Sequence, residues 1–137
     1  MPVIELDLLI AFVNSSDRHH QAADRIFRKI KEGDLKDVSA ASSAYLEYEL
    51  VHRSKRYVTE DIRKEISSFK NFPNLGEKPL TSAVITLAMR LREAVKAMTY
   101  FDSMHASTAL LYDGEIISAD PIYDKVDGLT RIGHSKI

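Results

Sequence analysis

This 137-residue chain contains no cysteine. That excludes disulfides, thiol nucleophiles and thiolate metal sites, and it agrees with a reducing compartment. It also lacks a charge excess of either sign: 19 Lys and Arg face 20 Asp and Glu, a formal net charge of −1. Bulk basicity therefore does not mark it as a nucleic-acid binder, and any such contact has to come from local patches. No apolar run approaches the roughly 18 residues of a membrane-spanning helix. The opening Met1-Pro2-Val3-Ile4-Glu5-Leu6-Asp7 has neither the basic start nor the apolar stretch of a signal peptide. Internal repeats, low-complexity segments and linkers are missing as well. The expectation is one domain over residues 1–137, with a real core, in a soluble cytoplasmic protein.

What is present is an alternation of short apolar runs and helical periodicities. Residues 2–6 predict a buried strand, with a turn near Asp7 and a short helix over 8–13. After loop residues 14–17, Ala22, Ala23, Ile26, Phe27 and Ile30 recur at helical spacing over 19–31, and Gly33 is the stop. Residues 35–40 predict a second strand. A helix capped by Ser42 or Ser43 runs to about Arg56, with Leu46, Leu50 and Val51 expected on its inner face. Further helices are expected over 59–71, from Thr81 or Ser82 to Ala94, and over 102–112, this last one amphipathic. Residues 74–80 read as loop or frayed strand, 115–118 as strand, 121–126 as a helical turn and 129–132 as a last strand. Such alternation predicts a three-layer α/β/α sandwich around a short, mainly parallel sheet. In such sheets functional groups gather at the carboxyl ends of the strands.

The acidic residues follow that rule. Glu5 and Asp7 leave the first strand, Asp120 leaves the strand at 115–118, Asp102 opens a helix, and Glu47 lies early in another. Four segments supplying carboxylates to one place is how hard cations such as Mg²⁺ or Mn²⁺ are held. Each acid also has an ordinary explanation. Asp102 complements a helix start, Asp120 before Pro121 is a good N-cap, and Glu47 beside Glu49 suits an exposed helix. His105, three residues after Asp102, is expected to pack near the site entrance rather than to touch metal or RNA. His19-His20 reads as a surface pair. Arg53, Lys55 and Arg56 suit either a helix C-terminus or an RNA backbone, about 9–13 Å from Glu47 along the helix.

Together these residues resemble the PIN-domain family and, within it, the small VapC-like ribonuclease toxins. The resemblance is carried by Asp102, His105, Ala106, Ala109, Gly114, Ile116-Ile117-Ser118-Ala119-Asp120, Tyr123-Asp124 and Gly128-Leu129. Glu47 matches the family's central Glu, and the match covers nearly the whole chain. The opening departs from the family's Asp-Thr-Asn. Aligning the helix at 8–13 puts Glu5 at the expected Asp and Asp7 at the Asn, and strand alternation would put both on one face. Asp7 is preferred as the shorter acid at the turn; Glu5 remains the alternative.

The resemblance implies a PIN-like fold and Mg²⁺- or Mn²⁺-dependent hydrolysis of RNA phosphodiesters, by the toxin of a type II toxin–antitoxin pair. Asp7 (or Glu5) and Asp102 are then the principal ligands, and Asp120 a ligand directly or through water. Glu47 serves as ligand to a second ion or as base. Ser118 orients a carboxylate or water, or is a plain buried hydroxyl; Asp124 is expected in solvent. RNA as substrate, a cognate antitoxin and a homodimer are the implied partners. The antitoxin would lie in a groove between the early helices, which the apolar helices 8–13 and 45–51 could line; burial in the monomer explains those helices equally well. The alternative is a catalytically degenerate PIN-like domain that binds RNA or a protein without cleaving. A haloacid-dehalogenase-like phosphatase is disfavoured, because Glu5 stands where an aspartyl nucleophile is required.

Overall fold

The computed structural model describes residues 1–137. Five short parallel strands form one sheet: β1 (Val3–Ile4), β2 (Ser39–Ala41), β3 (Gly76–Lys78), β4 (Glu115–Ile117) and β5 (Thr130–Ile132), in the order β3-β2-β1-β4-β5. Val3 and Ile4 pair with Ser39 and Ala40 on one side and with Ile116 and Ile117 on the other. Six helices connect the strands: α1 (Leu6–Val13), α2 (His20–Glu32), α3 (Ser42–Ser54), α4 (Thr59–Lys70), α5 (Ser82–Ala94) and α6 (Tyr100–Tyr112). A 3₁₀ turn, Pro121–Lys125, joins β4 to β5. No helix is long and apolar enough to cross a membrane.

Alternate strand residues serve two cores, as a two-residue period requires. Ile4, Ala40 and Ile117 face α1–α4, where Leu8, Leu9, Ile26, Phe27, Tyr48 and Phe69 are buried. Val3, Ala41 and Ile116 face α6, with Ala106, Ala109 and Tyr123. The expected three-layer arrangement is thus present, with every strand pair parallel. Residues 74–80, read as loop or frayed strand, contribute β3 at the sheet's edge, in register with Ser39–Ala41.

Several expectations are corrected. The first strand ends at Ile4, not at residue 6, and α1 starts at Leu6 because Glu5 caps it. The inner face of α3 is Ala44, Tyr45, Tyr48 and His52, whereas Leu46 and Leu50 are exposed. Two four-residue rows compete on this helix, and aromatic residues reaching Phe69 fill the larger space. In α1, Leu8, Leu9 and Ala11 are fully buried in the core, whereas Ile10 and Phe12 are partly buried and Val13 is exposed. Finally, α6 is buried on all sides from Ser103 to Ala109 rather than amphipathic. Its hydroxyls are satisfied internally: Ser107 donates to the Val84 carbonyl at 2.7 Å and Thr108 to that of Met104 at 2.8 Å. Small residues let α6 sit between the sheet, α3 and α5.

Candidate metal centre

The chain builds β1, β2 and β3 outward in one direction and then returns to add β4 and β5 on the other side of β1. The direction of winding reverses between β1 and β4, and the crevice outside their carboxyl ends is where ligands of open α/β sheets bind. Glu5 follows β1 directly, and its N–H donates to the Ile117 carbonyl at 3.0 Å, tying it to the end of β4. Its Oε2 accepts from the Asp7 N–H at 3.1 Å, the N-cap bond of α1. The side chain is 5 % exposed.

Asp7 lies in the first turn of α1, where the helix dipole favours a carboxylate. Its Oδ2 accepts from the Ala119 N–H at 3.0 Å and lies 3.3 Å from the Ser118 hydroxyl. The same hydroxyl is 3.4 Å from Glu5 Oε2, so its one hydrogen is divided between two carboxylates. Asp7 Oδ1 is buried and has no hydrogen-bond partner. Glu5 and Asp7 therefore meet at one place by the start of a helix, and not by the strand alternation expected of them.

Asp102 reaches the site from the first turn of α6, whose cap is Thr99: the Asp102 N–H donates to Thr99 Oγ1 at 3.2 Å. The Tyr123 hydroxyl donates to Asp102 Oδ1 at 3.3 Å. Asp120 Oδ1 accepts from the Ile122 N–H at 2.9 Å, the ordinary capping bond that its place before Pro121 suggested. Its own N–H donates to Ser118 Oγ at 3.0 Å. Ser118 thus joins three of the acidic residues, an orienting hydroxyl rather than one spent on distant backbone.

Glu47 enters from α3 and His105 from α6. Their bond is short, 2.7 Å between Glu47 Oε1 and His105 Nε2, and Nδ1 lies 2.8 Å from Ser43 Oγ. His105 is completely buried. One ligand-capable atom from each of Glu5, Glu47 and His105 falls within 4.8 Å of the others.

The charges register one another. Burial, then the charges of Asp7 and Asp102, push the Glu5 carboxyl well above its ordinary pKa. Burial also raises Asp102; Thr99 and His105 oppose that rise, and Glu47 and Asp120 add to it. The Tyr123 hydroxyl is raised by burial and then by the charges of Glu5, Asp102, Asp7 and Asp120, of which Asp102 is its hydrogen-bond partner. Of the residues singled out in the sequence, Glu5, Asp7 and Asp120 meet at Ser118 and Glu5 and Glu47 lie within ligand distance with His105, while Asp102 acts on Glu5 through its charge. Tyr123 as a hydroxyl donor and Ser43 behind His105 were not foreseen; a buried Tyr beside an Asp-rich turn was the available signal for the first.

Other polar residues lie apart. Asp124 is half exposed and pairs with Arg131 Nε at 3.0 Å, the solvated acid expected. Arg131 Nη1 also donates to the Ser118 carbonyl at 3.2 Å, which places one cation beside the acids. Arg53 pairs with Glu49 at 3.7 Å, and α3 ends at Ser54, so Lys55 and Arg56 lie beyond it. His20 Nδ1 is engaged by the Ala11 carbonyl at 2.7 Å. An oxygen-rich donor set with a buried, unpartnered carboxylate oxygen suits a hard divalent cation, which takes carboxylate oxygens and water.

A family model described as the PIN domain matches residues 7–129. Solved structures share the fold. VapBC2 from Rickettsia felis, bound to a DNA fragment from its promoter, has a TM-score of 0.73 at 11 % identity, over 96 % of both chains. FitAcB from Neisseria gonorrhoeae gives 0.71 at 11 % identity over the whole of both chains. A toxin–antitoxin complex from Klebsiella pneumoniae gives 0.64 at 16 % identity, over 95 % of this chain and 96 % of the other. No curated protein matches the sequence.

Proposed function

The chain belongs to the PIN-domain family, and from that premise we propose that it is a Mg²⁺- or Mn²⁺-dependent endoribonuclease, the toxin of a type II toxin–antitoxin pair. The observation that carries the reading is the convergence of Glu5, Asp7 and Asp120 on Ser118, with Asp102 held by Tyr123, Glu5 close to Glu47, and one Asp7 oxygen buried and unpartnered. Asp7, through Oδ1, and Asp102 are the principal ligands, Asp120 a ligand directly or through water, and Glu5 a further carboxylate of the same set. When bound, the cation neutralises phosphate charge and lowers the pKa of an attacking water.

The protein's own groups do the rest. Ser118 and the Ala119 N–H fix Asp7 Oδ2 and so aim Oδ1. Tyr123 holds Asp102 Oδ1. Glu47, with Oε1 engaged by His105, keeps Oε2 to accept the proton of the attacking water or to serve a second ion. A single-stranded RNA is the proposed substrate, because its unstacked bases are open to stacking and hydrogen bonding by protein side chains. An antitoxin and a second copy of the chain are the proposed partners; exposed Leu46 and Leu50 on α3 supply apolar surface for one of them.

Cleavage of mixed single-stranded RNAs with Mn²⁺ or Mg²⁺ tests the reading. Native protein is expected to cut only with the cation, and Asp102→Asn to lose more than about 100-fold in rate, beyond what outer-shell changes cost. Equal cutting by both proteins would overturn it. No cutting by either, with weak Mn²⁺ binding, would favour a degenerate PIN-like domain.

A further inference from the structure

Behind Glu47 stands a buried chain of three side chains on two helices: Ser43 and Glu47 on α3, and His105 on α6. Ser43 is 1 % exposed and His105 not at all, while Glu47 keeps an edge in solvent. For an ionised Glu47 and a neutral His105 ring, the hydrogen-bond valences give this chain one direction. An ionised Glu47 has only acceptors, so Nε2 of His105 carries the hydrogen across the 2.7 Å contact. In a neutral ring Nδ1 is then the acceptor, and the Ser43 hydroxyl 2.8 Å away donates to it. Both ring nitrogens are used, and neither is left with a lone pair for a cation, although His105 lies within 4.8 Å of two carboxylates.

We infer that His105 is a positioning residue: held as the Nε2–H tautomer by Ser43, it fixes Glu47 Oε1 so that Oε2 alone is presented to the cation and the attacking water. The inference rests on the metal-dependent reading of this site and adds the device that orients its central Glu. Hydrogen bonds from outside a ligand shell commonly hold a ligating carboxylate in this way, and losing one costs about 10- to 100-fold in metal affinity or activity. Glu47 is a long, flexible side chain near the protein surface, so without such a bond it would lose much of its orientation on each turnover.

Mn²⁺ titration without RNA, followed by calorimetry, tests this on native protein and on His105→Ala, His105→Gln and Ser43→Ala, each first checked for native circular dichroism. His105→Ala is expected to bind Mn²⁺ about 10- to 100-fold more weakly. His105→Gln, which can return an N–H toward Glu47, is expected to recover most of that loss. Ser43→Ala, a far smaller change, is expected to weaken binding in the same direction. In cleavage assays the losses fall on kcat, with KM for RNA little changed. Nitrogen NMR of the native imidazole is expected to report Nε2–H. Folded His105→Ala binding Mn²⁺ as tightly as native protein would overturn the inference, as would an Nδ1–H tautomer, or Gln no better than Ala. Native protein that binds no Mn²⁺ would instead remove the metal-dependent reading itself, and the inference with it.

Discussion

A carboxylate that is 5 % exposed and shares a hydroxyl with a second acid is strained in its charged form. Glu5 ionises near 4.5 in an unfolded chain, whereas burial and the charges of Asp7 and Asp102 raise it well above that value in the fold. The folded protein therefore holds the proton over a pH range where the unfolded chain has lost it. Stability contributed by the neutral form is complete below about 4.5 and is lost as pH rises through the folded pKa. Glu5→Gln keeps an oxygen for the Asp7 N–H and removes the charge. In chelator at pH near 7.5, thermal melting is expected to show Glu5→Gln above native protein, with the two converging below the ordinary carboxylate range. Saturating Mn²⁺ should reverse the order. A variant less stable than native in chelator at neutral pH would contradict this.

At this scale the acids were legible, since a helix start and a strand exit each leave a mark in the sequence. Their supports were not. His105 and Glu47 are 58 residues apart, and no local pattern couples a histidine on one helix to a glutamate on another. Asp120 shows both readings at once: it caps the turn beginning at Pro121, and it contributes its charge to the site. Both Glu5 and Asp7 stand beside Ser118 for a physical reason, because α1 begins between them and turns both toward it.

Elements carry these residues by how they begin and end. The turn from α6 to β4 passes through Gly114, whose φ is +75°, and a Cβ there would lie 2.9 Å from the Gly128 carbonyl oxygen. Gly114→Ala therefore meets both backbone strain and a clash. The expected loss is more than about 1 kcal/mol in urea unfolding, with a fall in Mn²⁺ affinity, because β4 delivers Ser118 and Asp120. On the other side of the sheet, Phe27 stacks on Phe12 at 4.2 Å and meets Phe72 edge-on at 5.2 Å. Phe27→Ala is expected to cost about 3–5 kcal/mol, leaving the metal site's own geometry untouched if the fold survives. Periodicity located most of these helices within a residue or two, since apolar spacing is a local property. It misjudged which face of α3 is inside and how deeply α6 is buried. Those outcomes depend on neighbours: Phe69 receives Tyr45 and Tyr48, and Val84 accepts the Ser107 hydroxyl. The edge strand β3 was equally obscure, for Gly76-Glu77-Lys78 has no apolar alternation and is defined by its pairing with β2.

For the whole molecule, strand order is what turns separate acids into a site. β1 and β4 are adjacent although most of the chain lies between them, and the helices α1 and α6 open beside their carboxyl ends. The cost is a concentration of negative charge that a divalent cation relieves. Binding the folded chain alone stabilises it by mass action, about 2.7 kcal/mol at a hundredfold excess over Kd. A rise in melting temperature with Mn²⁺, abolished in Asp102→Asn, is the expected sign.

The most direct test is an anomalous difference map from a crystal of the native protein soaked in Mn²⁺. A peak is expected in the crevice between β1 and β4, touching Asp7 Oδ1 and a carboxylate oxygen of Asp102, with Asp120 and Glu47 beside it. A well-ordered crevice without manganese density, in crystals that bind the ion elsewhere, would contradict it.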